Sequence, residues 1–296
     1  MRVLLTGRNG QVGWELERAL APLGDLRATG RRELDHLYID SIREAIRGFR
    51  PDIIVNAAAY TAVDKAESEP ELARSINSVA PGVLAEEARR LDSLLVHFST
   101  DYVFDGAKRS PYTEDDPPNP VNVYGRTKLA GEQAIASAQC RALLLRTSWV
   151  FSRRGSNFLL KILELAAQGE ELRVIDDQVG SPTWSDRIAE ATVGILKRSL
   201  SGPDALSSGA SLFHLSSSGQ TSWHGFAKKI LEFARSGGLH ETVRLSPIGS
   251  ADFPSKARRP NYSVLSNAKV EAKFGIRMPA WDRDVQACMA NVAGGA

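Results

Sequence analysis

The stretch RVLLTGRNGQVG, residues 2–13, decides the fold of this chain. Its apolar run Val3-Leu4-Leu5 predicts a buried strand, and apolar residues recur at helical spacing after the loop that follows. Within that loop Gly7, Gly10 and Gly13 let the backbone turn tightly, while the helix start offers free N–H groups and a positive dipole end. The spacing is GxxGxxG, directly between strand and helix. We therefore predict a strand, a pyrophosphate-binding loop and a helix.

The alternation of strands and helices continues through the first half of the chain. Further apolar runs predict three more buried strands: Ile53-Ile54-Val55, residues 94–98 and residues 142–145. Continuous apolar strands separated by helices indicate a parallel sheet covered on both faces, with ligands at the carboxyl ends of its strands. The predicted fold class is α/β, a Rossmann-type doubly wound parallel sheet with a smaller C-terminal substrate-binding domain. We assign residues 1–147 to the dinucleotide-binding domain, with a strand near residues 212–216 returning to it, and residues 148–296 mostly to the substrate-binding cap.

Composition narrows the function classes. Of 296 residues, 43% are hydrophobic and 24% charged, and 37 basic against 35 acidic residues leave a net charge of +2. This balance argues against nucleic-acid binding, which favours a basic excess. The two cysteines form no CxxC motif, and no apolar stretch approaches the roughly 20 residues that span a bilayer. The chain starts on the first strand, without a signal peptide, so we expect a cytoplasmic protein with no membrane partner.

The sequence also predicts a second strand that ends near Ala28-Thr29-Gly30, and the end of this strand bears on the choice of cofactor. NAD-binding folds usually place an acidic residue there to hold the ribose 2′-hydroxyl. Here the sequence continues Gly30-Arg31-Arg32. Guanidinium groups suit a 2′-phosphate, which favours NADPH, although NADH stays possible and a solvent-facing turn is the alternative interpretation.

A tyrosine and a lysine four residues apart, Tyr124 and Lys128, share one face of a predicted helix. A nearby ammonium favours the phenolate, so we expect Lys128 to lower the pKa of Tyr124 and make it a proton donor to a developing alkoxide. The pair follows the run His97-Phe98-Ser99-Thr100-Asp101, which ends a strand at the ligand-binding edge. The hydroxyl of Thr100 is placed to hold the same substrate oxygen.

These motifs together resemble the extended short-chain dehydrogenase/reductases, and more narrowly the dTDP-4-dehydrorhamnose reductase family. The resemblance covers nearly the whole chain in the family's order. The segments that carry it are residues 7–13, 56–67, 99–104, 124–128, 146–151, 177–183 and 257–260.

The resemblance implies an NAD(P)H-dependent oxidoreductase that reduces dTDP-4-dehydro-L-rhamnose to dTDP-L-rhamnose. Hydride would pass from the nicotinamide to sugar C4, with Tyr124 as proton donor to O4, Lys128 beside it and Thr100 steadying the keto oxygen. With the loop argument, the expected cofactor contacts are Gly7, Gly10, Gln11, Val12, Gly13, Arg31, Asp40, Ser41, Ala58, Ala59, Tyr60, Tyr124 and Lys128. The expected substrate contacts are Thr100, Asp101, Trp149 and Arg258.

A metal ion is doubtful. Some members of the family dimerise around Mg²⁺ held by carboxylates, and Glu15 matches one such position. The helix after Thr183 supplies only Asp186 or Glu190, and Asn291 stands where another acid is expected. Losing a carboxylate weakens a hard-cation site, so we predict no metal ligand and leave a homodimer as one possibility.

Other interpretations stay open beside the reductase. His97 and His214 lie in apolar strands, where a hydrogen-bonded core histidine is more common than a base. Arg258 could equally belong to a turn before Pro260. An epimerase or dehydratase on the same fold would keep a tightly held NAD⁺, and a non-catalytic regulatory subunit could retain the glycine loop.

Overall fold

A computed structural model describes residues 1–169, 171–200, 209–236 and 243–293, with the side chains of residues 236 and 291–293 left out. The strands are β1 (Arg2–Thr6), β2 (Asp25–Thr29), β3 (Ile53–Asn56), β4 (Leu94–Thr100), β5 (Ala142–Thr147), β6 (Val150–Phe151), β7 (Leu172–Ile175), β8 (Val179–Gly180), β9 (Thr183–Trp184), β10 (Ala210–His214), β11 (Thr221–Ser222) and β12 (Leu245–Ile248).

The helices alternate with these strands. They are α1 (Gln11–Leu20), α2 (Ile39–Phe49), α3 (Val63–Ala66), α4 (Pro70–Arg74), α5 (Ala80–Leu91), α6 (Val123–Ser137), α7 (Phe158–Ala167), α8 (Ser185–Leu200), α9 (Trp223–Ser236), α10 (Ala268–Phe274) and α11 (Trp281–Ala293). A π-helical turn, Ser75–Val79, joins α4 to α5.

Six parallel strands form the central sheet in the order β10-β5-β4-β3-β1-β2. The predicted α/β class and parallel sheet are confirmed. The strand order reverses direction at β1, because β2 lies on one side of β1 and β3 lies on the other. A switch of this kind opens a crevice at the carboxyl ends of the two strands, where ligands bind in such sheets.

Both faces of the sheet are buried because side chains alternate along each strand. Leu5 faces a cluster that Leu16 of α1 and Ile188 of α8 complete. Leu4 faces the opposite cluster, which contains Ile42 of α2. Each side chain is withdrawn from solvent, and such burial contributes about 1.5–3 kcal/mol per large apolar residue. The two layers of helices therefore fix the sheet edge on which the site is built.

The second half of the chain contributes to two regions. Its strand β10 occupies residues 210–214, two residues earlier than the predicted 212–216, and pairs with β5 at the edge of the sheet. A separate apolar cluster joins α7, α9 and α11 around Phe226 and Trp184. The predicted division at residue 147 stays a prediction. Helices α8 and α10, from the second half of the chain, pack on the sheet. No helix in the described ranges is both long and apolar enough to cross a membrane.

Candidate active site

The glycine loop is held by close backbone contacts. Gly7 has φ of 80°, and a Cβ added to it would lie 2.6 Å from the Ala58 nitrogen. A Cβ on Gly13 would lie 2.0 Å from the Gly7 carbonyl oxygen. Larger side chains at either position would push β1, α1 and the loop after β3 apart. Helix α1 starts after Gly10 without a side-chain cap, so its first N–H groups are available to an anion.

A cleft of about 610 Å³ opens above this loop, at the carboxyl ends of the strands. It receives all but three of the thirteen predicted cofactor contacts. Those that line it are Gly7, Gly10, Gln11, Val12, Arg31, Ala58, Ala59, Tyr60, Tyr124 and Lys128. Gly13 lies beneath the loop, where it packs against Gly7.

The other two, Asp40 and Ser41, do not reach the cleft. Helix α2 begins at Ile39, which places both residues in its first turn, and the Asp40 side chain is 90% exposed. The irregular segment before α2 lines the cleft instead, through residues 34–36. Within it, both ring nitrogens of His36 lack a hydrogen-bond partner among the described residues, and burial lowers its pKa to about 4. His36 was not among the predicted cofactor contacts.

An acid does lie near the end of β2, although it is absent from position 30. Glu33 accepts the Gly30 N–H at 2.8 Å, one turn beyond the strand. Arg31 lines the cleft, but its guanidinium also pairs with Asp35 at 3.2 Å, and its side chain is 74% exposed. The end of β2 therefore carries a carboxylate that is bonded to Gly30 and a guanidinium that lines the cleft.

Tyr124 and Thr100 come together as the motif spacing predicted. Helix α6 starts at an Asn122 cap, and Tyr124 in its first turn lies beside Thr100 at the end of β4. Desolvation raises the pKa of Tyr124 to about 12, and the neighbouring Thr100 hydroxyl only partly opposes this shift. The expectation that Lys128 lowers this pKa is wrong, because burial and the charge of Asp101 raise it.

Lys128 is buried, and its amine points to β4. Its Nζ donates to the Phe98 carbonyl at 2.6 Å and lies 3.1 Å from Nε2 of His97. Desolvation lowers the pKa of Lys128 to about 8, against the favourable charge of Glu132. His97 is a hydrogen-bonded histidine inside the sheet, as predicted, but its partner is a residue of the proposed catalytic set.

Asn77 ties the cleft to helix α6. From the π-helical turn its side chain accepts the Tyr60 N–H at 2.8 Å and donates to the Tyr60 carbonyl at 3.0 Å. It also donates to Thr127 at 3.2 Å. The irregular helix thus holds the cleft wall at Tyr60 against the helix that carries Tyr124. A lone asparagine in a helical pattern gave little sequence signal for this role.

A second cavity, of about 760 Å³, lies in the C-terminal half. Its lining combines aromatic rings with cationic side chains. The rings are Phe158, Trp223 and Phe253, and the cations are Lys161, Arg173, Lys256, Arg258 and Arg259. Aromatic rings and guanidinium groups together suit a nucleotide, since the rings can stack on a base and the guanidinium groups can bind phosphates.

Two neighbouring arginines have different surroundings. Arg258 is exposed at the cavity, and its guanidinium forms no salt bridge with any described residue. Arg259 pairs with Asp64 of α3 at 2.7 Å and lies beside Tyr102, whose ring meets that of Tyr124 edge-on at 5.7 Å. Arg259 therefore lies between the second cavity and helix α6.

Of the remaining predicted substrate contacts, Asp101 is buried and Trp149 is half-buried. Asp101 lies beneath the cleft, and desolvation raises its pKa to about 7, opposed by hydrogen bonds with Ser263 and Thr100. Trp149 has φ of 45° and stacks on Trp223 at 3.6 Å between ring centres. Trp223, rather than Trp149, lines the second cavity.

The carboxylates considered for Mg²⁺ lie near one another. The charge of Asp186 raises the pKa of Glu15, and the charge of Glu190 raises the pKa of Asp186, although burial is the larger cause for both. In the ranges that the structure describes, no three acidic, histidine or cysteine side chains form a metal site. The side chain of Asn291 lies outside those ranges.

Comparison with known proteins decides the family. The family model for the RmlD substrate binding domain matches residues 1–293. A dTDP-4-dehydrorhamnose reductase of Burkholderia thailandensis is 46% identical over 292 residues, 98% of each chain. The chain belongs to the dTDP-4-dehydrorhamnose reductase family. The relationship that the sequence motifs indicated is thereby confirmed, and with it the assignment of this reductase to the oxidoreductases.

Solved structures agree with this family. The Clostridium acetobutylicum reductase has a TM-score of 0.90 at 32% identity, covering 99% of both chains. The Bacillus anthracis reductase, solved in complex with NADP, has a TM-score of 0.89 at 33% identity, covering 98% of this chain and 99% of that one. A Thermotoga maritima UDP-glucose 4-epimerase is 16% identical with a TM-score of 0.82, which shows a shared fold alone.

Proposed function

We propose that this reductase transfers a hydride from NADPH to C4 of dTDP-4-dehydro-L-rhamnose and releases dTDP-L-rhamnose. The observation that carries the proposal is the arrangement of two cavities around Tyr124. The cleft contains Tyr124 and Lys128 in its wall, and the second cavity is linked to Tyr124 through Arg259 and Tyr102. Two relatives matched over 98% and 97% of this chain are dTDP-4-dehydrorhamnose reductases.

The cleft fits a dinucleotide. The uncapped start of α1 and the close approach at Gly7 and Gly13 suit a pyrophosphate, which needs free N–H groups and a backbone without side chains. Arg31 suits a 2′-phosphate, and the unpaired ring of His36 offers a polar contact on the same wall. The bound cofactor supplies the hydride. A relative solved in complex with NADP supports NADPH as the cofactor, while the carboxylate of Glu33 near the end of β2 leaves NADH as the alternative.

Tyr124 is the proposed proton donor. A tyrosine with a pKa near 12 is protonated at neutral pH, so Tyr124 can give its hydroxyl proton to the alkoxide that forms at O4. The Thr100 hydroxyl, which donates to Asp101 at 3.1 Å, lies beside Tyr124 and is the proposed group that orients the keto oxygen. Lys128 is four residues along α6 and lines the same cleft.

The second cavity is the proposed place of the nucleotide half of the substrate. Trp223 and Phe158 offer faces for the base, and Trp149 supports Trp223 from behind. Arg258, with no salt bridge of its own among the described residues, is the proposed ligand of the diphosphate. Buried Asp101 and Thr100 are the proposed contacts of the sugar half of the substrate.

The test follows absorbance at 340 nm with enzymatically generated dTDP-4-dehydro-L-rhamnose and either NADPH or NADH, with product identified by NMR. Consumption of cofactor with formation of dTDP-L-rhamnose is expected, faster with NADPH. Folded protein that consumes neither cofactor would contradict the proposal. Purified protein with firmly bound NAD⁺ and no net consumption would instead indicate an epimerase. A cytoplasmic location and a homodimer stay predictions.

A further inference from the structure

Helix α6, which carries Tyr124, begins at an asparagine whose side chain bonds to the helix itself. Asn122 Oδ1 accepts the Gly125 N–H at 2.7 Å, which caps the helix. Glu67, directly after α3, accepts the Val123 N–H at 2.7 Å. These two acceptors satisfy N–H groups that no helical carbonyl can reach. They fix the first turn of α6, and with it the position of the proposed proton donor.

The amide nitrogen of Asn122 bonds to a distant part of the chain. Its Nδ2 donates to the Arg258 carbonyl oxygen at 2.8 Å, across 136 positions of sequence. The orientation of the amide follows from its partners, because a backbone N–H can only donate and a carbonyl can only accept. The Asn122 side chain is 1% exposed, so water does not compete for either bond. A single buried side chain therefore joins helix α6 to the rim of the second cavity.

Helix capping alone does not explain an asparagine at this position. Serine and aspartate cap helices about as well, and an aspartate would also benefit from the helix dipole. An ionised carboxylate has no donor, however, and a hydroxyl has a single oxygen, which cannot serve partners on two sides of the side chain. Among the common capping residues, asparagine combines an acceptor atom with a separate donor atom. The second bond therefore uses the one property that distinguishes Asn122 from the other caps.

We propose that Asn122 is a positioning residue: it sets the distance between Arg258, the proposed ligand of the substrate diphosphate, and Tyr124, the proposed proton donor. Its oxygen holds the helix that carries the tyrosine, and its amide nitrogen holds the main chain of the arginine. The Arg258 side chain stays exposed at the second cavity, where a phosphate can reach it. The bond thus fixes where the guanidinium begins without occupying the guanidinium.

A third element braces the same junction. Asp64 of α3 pairs with Arg259 at 2.7 Å, next to the carbonyl that Asn122 holds. Since Glu67 follows α3 directly and bonds to the start of α6, helix α3 contacts both segments that Asn122 joins. Loss of the Asn122 bond therefore leaves the arginine segment attached to the protein through Asp64. We expect the fold to persist in that case, while the distance between the two proposed functional residues becomes less fixed.

The inference deepens the proposed function and rests on the diphosphate binding at Arg258. In that function the substrate spans both cavities, with its keto sugar at Tyr124 and its diphosphate at Arg258. Binding energy gained at the diphosphate aligns the keto oxygen only if the two sites keep a fixed separation. A misplacement of about 1 Å can cost about 10²-fold in rate. The bond through Asn122 supplies this fixed separation before the substrate binds.

A double-mutant cycle tests whether Asn122 acts through Arg258. Asn122→Ser keeps a capping oxygen and removes the donor, so kcat/KM for dTDP-4-dehydro-L-rhamnose should fall by about tenfold while NADPH affinity stays within about threefold. Arg258→Ala should lower kcat/KM by about tenfold as well. If the bond places the guanidinium, the double variant loses about ten- to twentyfold, whereas independent effects would multiply to about a hundredfold. A multiplicative loss, or an Asn122→Ser variant as active as wild type, would overturn the proposal.

Binding of dTDP separates this inference from the proposed reaction. Calorimetry without cofactor gives the dissociation constant of dTDP for wild type, both single variants and the double variant, and the same non-multiplicative pattern is expected. That pattern in a chain that does not reduce the sugar nucleotide would support the Asn122 bond and contradict the reductase. Multiplicative losses in an active reductase would contradict the inference alone. Wild-type protein without affinity for dTDP would contradict both.

Two further variants separate positioning from general stability. Asn267→Ser removes an amide that donates to the Ser216 carbonyl at 2.6 Å, at the start of α10 and outside the lining of both cavities. Its unfolding free energy in urea should drop about as much as that of Asn122→Ser, with kcat/KM and dTDP affinity unchanged. Asn122→Asp keeps the size and the cap but sets an oxygen against the Arg258 carbonyl, so its loss in kcat/KM should be at least that of Asn122→Ser. Equal kinetic losses in Asn267→Ser, or wild-type kinetics in Asn122→Asp, would overturn the proposal.

Discussion

The two cavities of this reductase are built in different ways. The cleft is formed largely by backbone atoms. Its glycines leave no room for a Cβ, helix α1 starts without a side-chain cap, and Asn77 hydrogen-bonds the backbone of Tyr60. The second cavity is made of side-chain ends, and several of its cations are exposed. A site made of backbone is nearly complete before its ligand binds. A site of long cationic side chains must order them on binding, which costs conformational entropy.

This difference separates two kinds of sensitivity to mutation. In the cleft a small added group should be costly, because the neighbours are backbone atoms that cannot move aside. In the second cavity the loss of one side chain should lower affinity while the fold stays intact. The following substitutions test that contrast, together with the chemistry placed between the cavities.

The largest effect is expected from Tyr124→Phe. Removing the hydroxyl removes the proposed proton donor, so kcat should fall by about 10²-fold or more while NADPH affinity stays within about threefold. Stopped-flow or steady-state absorbance at 340 nm and fluorescence titration of NADPH give the two values. The control is Tyr102→Phe, which removes the hydroxyl from the ring that lies edge-on to Tyr124 and should lower kcat by less than about tenfold. Comparable losses in both variants would assign the effect to packing.

Gly7→Ala tests the backbone character of the cleft. The new methyl would lie 2.6 Å from the Ala58 nitrogen at φ of 80°, and Gly169→Ala places a methyl at φ of 76° with no atom within 4 Å. The shared backbone strain costs about 1–3 kcal/mol in either variant. We expect Gly7→Ala to lose more unfolding free energy in urea and at least tenfold in NADPH affinity. Equal stability losses and intact NADPH binding would show that the loop tolerates a side chain.

Arg258→Ala tests the second cavity. With no salt bridge among the described residues to break, this change should leave unfolding free energy within about 0.5 kcal/mol. The KM for the sugar nucleotide should rise by about tenfold, the loss of one charge-assisted phosphate contact, with kcat and NADPH affinity little changed. Lys256→Ala, at the same rim, is the matched control for general charge. A KM unchanged in Arg258→Ala would place the diphosphate elsewhere.

Sequence reasoning predicted the cleft better than the second cavity, and the structure explains why. The glycine loop, residues 58–60 and the pair on α6 lie within short segments whose spacing carries their geometry. The irregular segment after β2 has no repeating spacing that predicts which of its residues face the cleft. Asp40 was therefore predicted as a cofactor contact, whereas His36 lines the cleft. Trp223 was missed for Trp149 because the two rings stack across 74 positions of sequence, a contact that no local pattern encodes.

The smallest effect concerns the salt bridge that joins the two regions. Arg259 lowers the pKa of Asp64 to about 2 from an ordinary 3.8, so this carboxylate stabilises the fold above pH 4 and loses that contribution as pH falls through 2. Asp64 is 47% exposed, which limits the contribution to about 1 kcal/mol. Asp64→Asn should therefore be less stable than wild type at pH 6, with the difference shrinking toward pH 2.5 in urea titrations. Glu71→Gln, which breaks a pair 64% and 85% exposed, should show no measurable difference at either pH. A gap between Asp64→Asn and wild type that stays constant with pH would mean that the carboxylate charge does not stabilise this junction.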